Sequence, residues 1–178
     1  MKKTRRGRSK LILVLGGSAS GKSRLALDLA GERGPRVFVA TGQALDQEMK
    51  VRIERHKATR SSDWVTAEVP EDIAGWISVN INNYQVVIID CLTLWLSNMA
   101  GKRLDDFAVS EATVKLLQAI RAARALVVVV SNELGLGLVP ATKAVRAFRD
   151  LAGRINQQVA EEADEVYLAV SGLPLRLK

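Results

Sequence analysis

Residues Gly16–Ser23 read GGSASGKS and follow directly on the apolar run Leu11–Leu15, LILVL. The stretch fits G-x-x-x-x-G-K-[ST], and each position answers a physical demand. Glycines let the backbone turn tightly enough for successive N–H groups to point at phosphate oxygens. A helix beginning near Lys22 and Ser23 aims the positive end of its dipole at the same spot. Lys22 would offset charge on the β- and γ-phosphates, and the Ser23 hydroxyl would ligate Mg²⁺. A strand that runs into such a turn and then into a helix is an α/β building unit, which narrows the fold at once.

The rest of the chain repeats that alternation. Val37–Ala40 (VFVA), Val86–Asp90 (VVIID), Leu126–Val130 (LVVVV) and Val166–Val170 (VYLAV) read as strands, with Val65–Val69 weaker and LPLRLK a candidate edge strand. Their unbroken apolar character predicts burial on both faces, as in a parallel sheet. Helical spacing fills the gaps, most clearly after Pro140, where Val145, Phe148, Ala152, Ile155 and Val159 recur every three or four residues. The expectation is a doubly wound α/β sheet. Asp90 then stands at the end of a buried strand, the Walker-B position from which a carboxylate holds Mg²⁺ directly or through water. Cys91 beside it reads as a small buried residue rather than a nucleophile.

At 178 residues the chain suits one domain. Its formal charge of +7 points first to nucleic acid, but the distribution argues otherwise. Six of the 26 Lys/Arg fall within residues 1–10, where there is no acid, and the remainder nearly balances 19 Asp/Glu. The basicity therefore belongs to a tail, residues 1–10, ahead of a single domain over 11–178. LILVL is too short for a signal-peptide core, no run reaches a membrane span, and the single cysteine fits a reducing cytoplasm.

His56 is the only histidine. On a helix over Leu45–Lys57, Leu45, Met49 and Ile53 form an apolar stripe that includes His56, with Arg52 one turn before it. A half-buried packing role is one reading. The other has a neutral imidazole facing bound nucleotide while Arg52, Lys57 and Arg60 supply positive charge. With a reference pKa of about 6.5, imidazole is mostly neutral at pH 7 and can act as a nucleophile without a dedicated base.

Several segments then combine: GGSASGKS, VATGQALDQEMKVRIERHKATR, WVTAE, IIDCLTLWLSN, VVSNELGLGLVP, FRDLAGRINQ and ADEVYLAVSGLPLRLK. Together, from about Leu11 to Lys178, the chain resembles the bifunctional adenosylcobinamide kinase/adenosylcobinamide-phosphate guanylyltransferases of cobalamin (vitamin B12) biosynthesis. The most specific marks are E-M-x-x-R-I-x-x-H-[KR] followed by W-x-T-x-E, and S-N-E-[VL]-G-x-G-[ILV]-V-P. The resemblance implies a P-loop NTPase fold with a RecA-like, mostly parallel sheet flanked by helices. It implies a kinase using ATP or GTP on the aminopropanol hydroxyl of cobinamide, and a guanylyl transfer from GTP through a GMP–histidine at His56. It further implies nucleotide contacts at Gly16, Gly17, Ser18, Ala19, Ser20, Gly21, Lys22 and Ser23. Others follow at Thr41, Gly42 and Gln43, at Lys57, Ala58, Thr59 and Arg60, and at Glu68 and Asp90. Mg²⁺ is implied at Ser23 and Asp90, Lys22 is catalytic, and the assembly is a homotrimer. Small-molecule substrates, with no nucleic acid and no membrane span, complete the expectation. One departure is Ala19, where the family pattern commonly carries an arginine.

Other features are weaker. Ser131 and Asn132 end a buried strand at the carboxyl edge, where such sheets bind ligands. Gly135 and Gly137 suit either a loop over the corrinoid or a plain connection. Trp64, Trp76 and Trp95 read as core or subunit-contact residues, and Arg146–Arg154 as a solvated helix face. Two alternatives stand beside the two-step enzyme. One is a simple small-molecule kinase with a structural histidine, although SNELGLGLVP lacks the arginine-rich lid such kinases often carry. The other is a nucleotide switch, which the absence of long insertions disfavours.

Overall fold

The computed structural model describes residues 9–58, 60–101 and 105–178. Residues 1–8 of the basic tail, and Thr59 among the expected nucleotide contacts, lie outside the described residues. The elements run β1 (Lys10–Gly16), α1 (Lys22–Ala30), β2 (Arg36–Ala40), α2 (Gln47–Ala58), β3 (Trp64–Glu68) and α3 (Ile73–Asn80). They continue β4 (Val86–Asp90), α4 (Leu92–Gly101), α5 (Asp106–Ala122), β5 (Leu126–Asn132), α6 (Lys143–Glu162), β6 (Glu165–Val170) and β7 (Leu173–Arg176).

The strands form one sheet in the order β3-β2-β4-β5-β1-β6-β7, parallel throughout except for antiparallel β7. Continuous Val/Ile/Leu runs are what a sheet covered on both sides requires. Leu11, Leu13, Val37, Val87, Ile89, Val127 and Val129 face α3, α4, α5 and α6, while Ile12, Val14, Val86, Ile88, Val128 and Val130 face the α1 side. Each such side chain, fully buried, stabilises the fold by about 1.5–3 kcal/mol. The expected doubly wound α/β sheet is the fold observed, including the weak strand at β3 and the C-terminal edge strand at β7.

Two boundaries and one helix face differ from the sequence expectation. Ser9 and Lys10 belong to the folded body rather than to a tail. Ser9 is buried and its carbonyl accepts from Arg121 Nη1 at 2.9 Å, while Lys10 opens β1 and pairs with Glu165 at 2.7 Å. The helix carrying His56 starts at Gln47, not Leu45, because Asp46 caps it: the Met49 N–H donates to Asp46 Oδ1 at 2.7 Å. Leu45 is thereby left outside the helix and 82% exposed, so it forms no part of an apolar stripe. The basic helix face is solvated at Arg154, but Arg146 folds back to donate to the Pro140 and Ala141 carbonyls at 2.9 and 2.8 Å.

The tryptophans are structural. Trp95 is buried with its indole N–H donating to the Glu71 carbonyl at 2.6 Å, Trp76 stacks on Tyr84, and Trp64 meets Phe38 edge-on. No helix among the described residues is long and apolar enough to cross a membrane.

Cys91 is 6% exposed, and burial, with Asp90 beside it, pushes its thiol from 9.0 up to about 11. A raised folded-state value means that the folded state binds this proton more tightly. The thiol's contribution to stability is therefore complete below pH 9 and lost as pH climbs toward 11. The native protein should resist Ellman's reagent at pH 8 and release one thiol only when unfolded by guanidinium, followed at 412 nm in the same reagent (a wavelength of about 412 nm reads thionitrobenzoate, not the protein).

Candidate active site

The site lies at the carboxyl edge of the sheet, where parallel α/β folds bind ligands. The loop after β1 reaches α1 through Gly21, whose φ of 94° is left-handed, and no side chain caps the helix start. The first-turn N–H groups therefore remain open to an anion. Glycine is required at two points here. A Cβ on Gly16 would stand 2.5 Å from the Ala169 carbonyl and 2.6 Å from Ser20 Oγ, and one on Gly21 would stand 3.0 Å from Gly172 Cα. The Gly172 N–H also donates to the Ser20 carbonyl at 3.0 Å, so the β6–β7 turn braces the loop.

Lys22 is buried and bonded to the Gly17 carbonyl across the loop. Burial lowers its pKa, Asp90 opposes that change, and Arg52 adds to it. Ser23 Oγ donates to Asp90 Oδ2 at 2.8 Å. That pair, a hydroxyl and a carboxylate side by side, suits Mg²⁺, which takes few protein ligands and completes its shell with phosphate oxygens and water. No group of three or more His, Cys, Asp or Glu positioned for a metal occurs among the described residues. Ser20 Oγ is buried with no hydrogen-bond partner among the described residues.

A cavity of about 1720 Å³ opens from this loop, large enough for a nucleotide and part of a second substrate. Ser18–Ser23 line it, and so do Arg52, Ile53, His56 and Lys57 of α2. Helix α2 buries none of its residues. It is tied down by Ile53, which packs beside Gly42, and by Lys57, which pairs with Glu68 at 3.0 Å and Glu54 at 3.6 Å. The Glu68 bond raises the Lys57 pKa. Arg60 lies 3.3 Å over the Phe38 ring and donates to Thr66 Oγ1 at 3.2 Å. Burial lowers its pKa while Asp90 opposes that. His56 is half-buried and lines the cavity.

Of the expected residues, Ser18, Ala19, Ser20, Gly21, Lys22, Ser23, Gly42, Gln43, His56, Lys57, Arg60, Glu68 and Asp90 line this one cavity. Gly16, Gly17 and Ala58 do not. Thr41 does not line it either. It is fully buried, its hydroxyl donates to the Cys91 carbonyl and accepts from the Cys91 N–H, both at 2.8 Å, and its own carbonyl accepts from Asn98. These bonds tie the end of β2 to the residue after β4 and to α4. Arg24, Leu94 and Asn132 line the cavity without having been singled out as contacts. For Asn132 the available signal was its place at the end of a buried strand.

The comparisons agree with this geometry. The family profile described as cobinamide kinase / cobinamide phosphate guanyltransferase matches residues 12–177. The bifunctional adenosylcobalamin biosynthesis protein CobU of Escherichia coli is 39% identical over 180 residues, covering 94% of this chain and 99% of its own. The bifunctional adenosylcobalamin biosynthesis protein CobP of Pseudomonas aeruginosa is 42% identical over 171 residues, covering 93% and 96%. Among solved structures, the flagellar accessory protein FlaH of Methanocaldococcus jannaschii superposes with a TM-score of 0.57 at 14% identity, over 96% of this chain and 79% of that one. An ATPase of a bacterial type III secretion system gives 0.58 at 15%, over 96% and 57%. At such identities these two speak for the P-loop NTPase fold alone. The near full-length match, with the phosphate loop and His56 on one cavity, shows that the chain belongs to the cobinamide kinase/cobinamide phosphate guanyltransferase family.

Proposed function

We propose that this chain is a two-step enzyme of adenosylcobalamin biosynthesis: it phosphorylates adenosylcobinamide with ATP or GTP, then transfers GMP to the product by way of His56. The observation that carries this reading is the placing of His56 on the cavity that the phosphate loop also lines. A structural histidine would have no need of that position.

In the first step the cobinamide hydroxyl oxygen bonds to the γ-phosphorus. The bond to the β-phosphate oxygen breaks with its electron pair on the departing diphosphate, and the hydroxyl proton passes to water. Lys22 and the open amides of α1 hold the β- and γ-oxygens, supplying the positioning and electrostatic stabilisation that dominate phosphoryl transfer. Ser23 and Asp90 would hold Mg²⁺, which when bound supplies charge neutralisation across the phosphates.

In the second step an imidazole nitrogen of His56 attacks the α-phosphorus of GTP, forming a P–N bond while the bond to pyrophosphate breaks. The imidazole proton is then lost. A phosphate oxygen of cobinamide phosphate attacks the same phosphorus while a proton from water returns to the ring, the P–N bond breaks with its electron pair on nitrogen, and neutral imidazole is restored with adenosylcobinamide-GDP as product. Splitting a displacement between two anions in this way lowers each barrier. Arg52, Lys57 and Arg60 share the cavity with His56 and attract the leaving pyrophosphate. Gln43, Gly42 and Glu68 complete the nucleotide surround in this reading.

The described body acts as one catalytic domain in this proposal. Exposed Leu173, Leu175 and Leu177 along the antiparallel edge support the homotrimer that the family resemblance implies. Light scattering on the eluted protein should return three times the mass of the 19.4 kDa chain; a monomer at assay concentration refutes that element.

With Mg²⁺ and α-labelled GTP, acid-labile and alkali-stable label should remain on the precipitated protein. It should be absent with γ-labelled GTP and absent in His56→Ala. A labelled His56→Ala protein would refute the assignment. Lys22→Ala and Asp90→Asn should each lower cobinamide phosphorylation by about 10²-fold or more, measured as initial rates at saturating nucleotide.

A further inference from the structure

Asn132 closes β5, the strand between the phosphate-loop strand β1 and the Asp90 strand β4. The register sets Asn132 opposite Gly16 and Val130 opposite Asp90. Because strand side chains alternate, Asn132 shares the α1 face with Val128 and Val130, and it reaches the cavity between the phosphate loop and Asp90. Among the described residues its side-chain amide has no hydrogen-bond partner, whereas its backbone is held from both sides. The Asn132 N–H donates to Thr93 Oγ1 at 2.8 Å, and its carbonyl accepts from Asn156 Nδ2 at 3.1 Å. Thr93 is itself buried and lies 3.4 Å from Ser131 Oγ.

Asn156 deepens the contrast. It is 5% exposed, and its Oδ1 is buried without a partner among the described residues. An unpaired buried amide oxygen costs stability that an apolar side chain of the same volume would not incur. The opposite amide orientation would set two oxygens against each other, so the donor must face Asn132. A costly polar group thus spends its one hydrogen bond on fixing the backbone of a residue whose own amide is left free over the site.

We propose that the Asn132 side-chain N–H donates to the terminal phosphoryl group of the loop-held triphosphate during its transfer to the cobinamide hydroxyl, with Thr93 and Asn156 as positioning residues. The inference rests on the kinase reading above. In the transfer the γ-phosphorus–oxygen bond to the diphosphate breaks, the bond to the hydroxyl oxygen forms, and the hydroxyl proton goes to water. Asn132 takes no proton and offers its hydrogen bond to a γ-oxygen whose charge shifts in the transition state. Lys22, Ser23 and Asp90 line the same cavity and, in the kinase reading, serve the β- and γ-phosphates; β5 sets Asn132 between the strand that feeds the loop and the strand that ends in Asp90, whereas His56 is carried by the separate helix α2. Asn132 therefore belongs to the first step rather than the second.

Two assays on the full chain decide it: initial rates of cobinamide phosphorylation with γ-labelled nucleotide, and the rate of protein labelling by α-labelled GTP. Asn132→Ala should lower kcat for phosphorylation by about 10²-fold with little change in nucleotide KM, the loss expected on removing one transition-state donor. Labelling of His56 should fall by a far smaller factor. Asn132→Asp, which sets a carboxylate against the phosphoryl group, should be worse than alanine in the first assay. Asn156→Leu should hold or raise the melting temperature yet lower kcat for phosphorylation by about tenfold or more. Equal losses in both assays, or phosphorylation at the wild-type rate in Asn132→Ala, would overturn the inference while leaving the functional reading intact. A wild-type protein that phosphorylates no cobinamide would overturn both.

Discussion

The parallel register of the four central strands β2, β4, β5 and β1 governs everything at the site. Ala40 pairs with Asp90, Asp90 with Val130, and Gly16 with Asn132, so the chemistry-bearing residues end their strands at one edge and on one face. Side chains alternate along a strand, and a slip of one residue would turn Asp90 away from Ser23 and Asn132 away from the cavity. What prevents that slip is apolar. The two faces bury separate sets of Val, Ile and Leu, and exchanging them would place the termini of every strand out of phase with the helices that cover them. The 2.8 Å bond between Ser23 and Asp90 is thus a consequence of packing tens of ångströms of strand, not a local contact that holds itself.

The molecule divides its labour between a rigid body and a lightly attached helix. The phosphate loop is gripped by the β6–β7 turn, by Lys22 and by the Ser23–Asp90 pair. Helix α2 buries no residue and rests on Ile53, Lys57 and the neighbouring Arg60. Local opening costs least where few apolar contacts are lost. In the proposed two-step reaction, where one triphosphate phosphorylates the acceptor and another gives its GMP to His56, carrying the histidine on such an element is an advantage.

Charge in the cavity is arranged for a polyanion. Seven Lys or Arg and five Asp or Glu line it, and two of the cations, Lys22 and Arg60, are held there against a cost of burial. Lys22 is disfavoured by burial and by Arg52, and Arg60 by burial. A triphosphate relieves those costs, so part of its binding energy comes from groups already desolvated before it arrives. Thr41, by contrast, has every polar atom satisfied and acts as a rivet between β2 and β4.

Much of this was legible in the linear order of residues. Strands made of consecutive branched residues, a glycine-lysine-serine turn after the first, and an acid closing another are local patterns, and local physics decides them. So is the motif around His56. What sequence spacing could not give was anything set by contacts distant in the chain. A helical period does not reveal that Asp46 caps α2 and leaves Leu45 in solvent. Nor does the segment around Thr41 reveal that Cys91, fifty residues on, bonds both sides of its hydroxyl. Asn132 and Asn156 acquire meaning only when β5 comes to lie between β1 and β4 and α6 packs behind it. Hydrogen bonds reach about 3 Å, so which polar groups are occupied and which remain free is decided by tertiary packing.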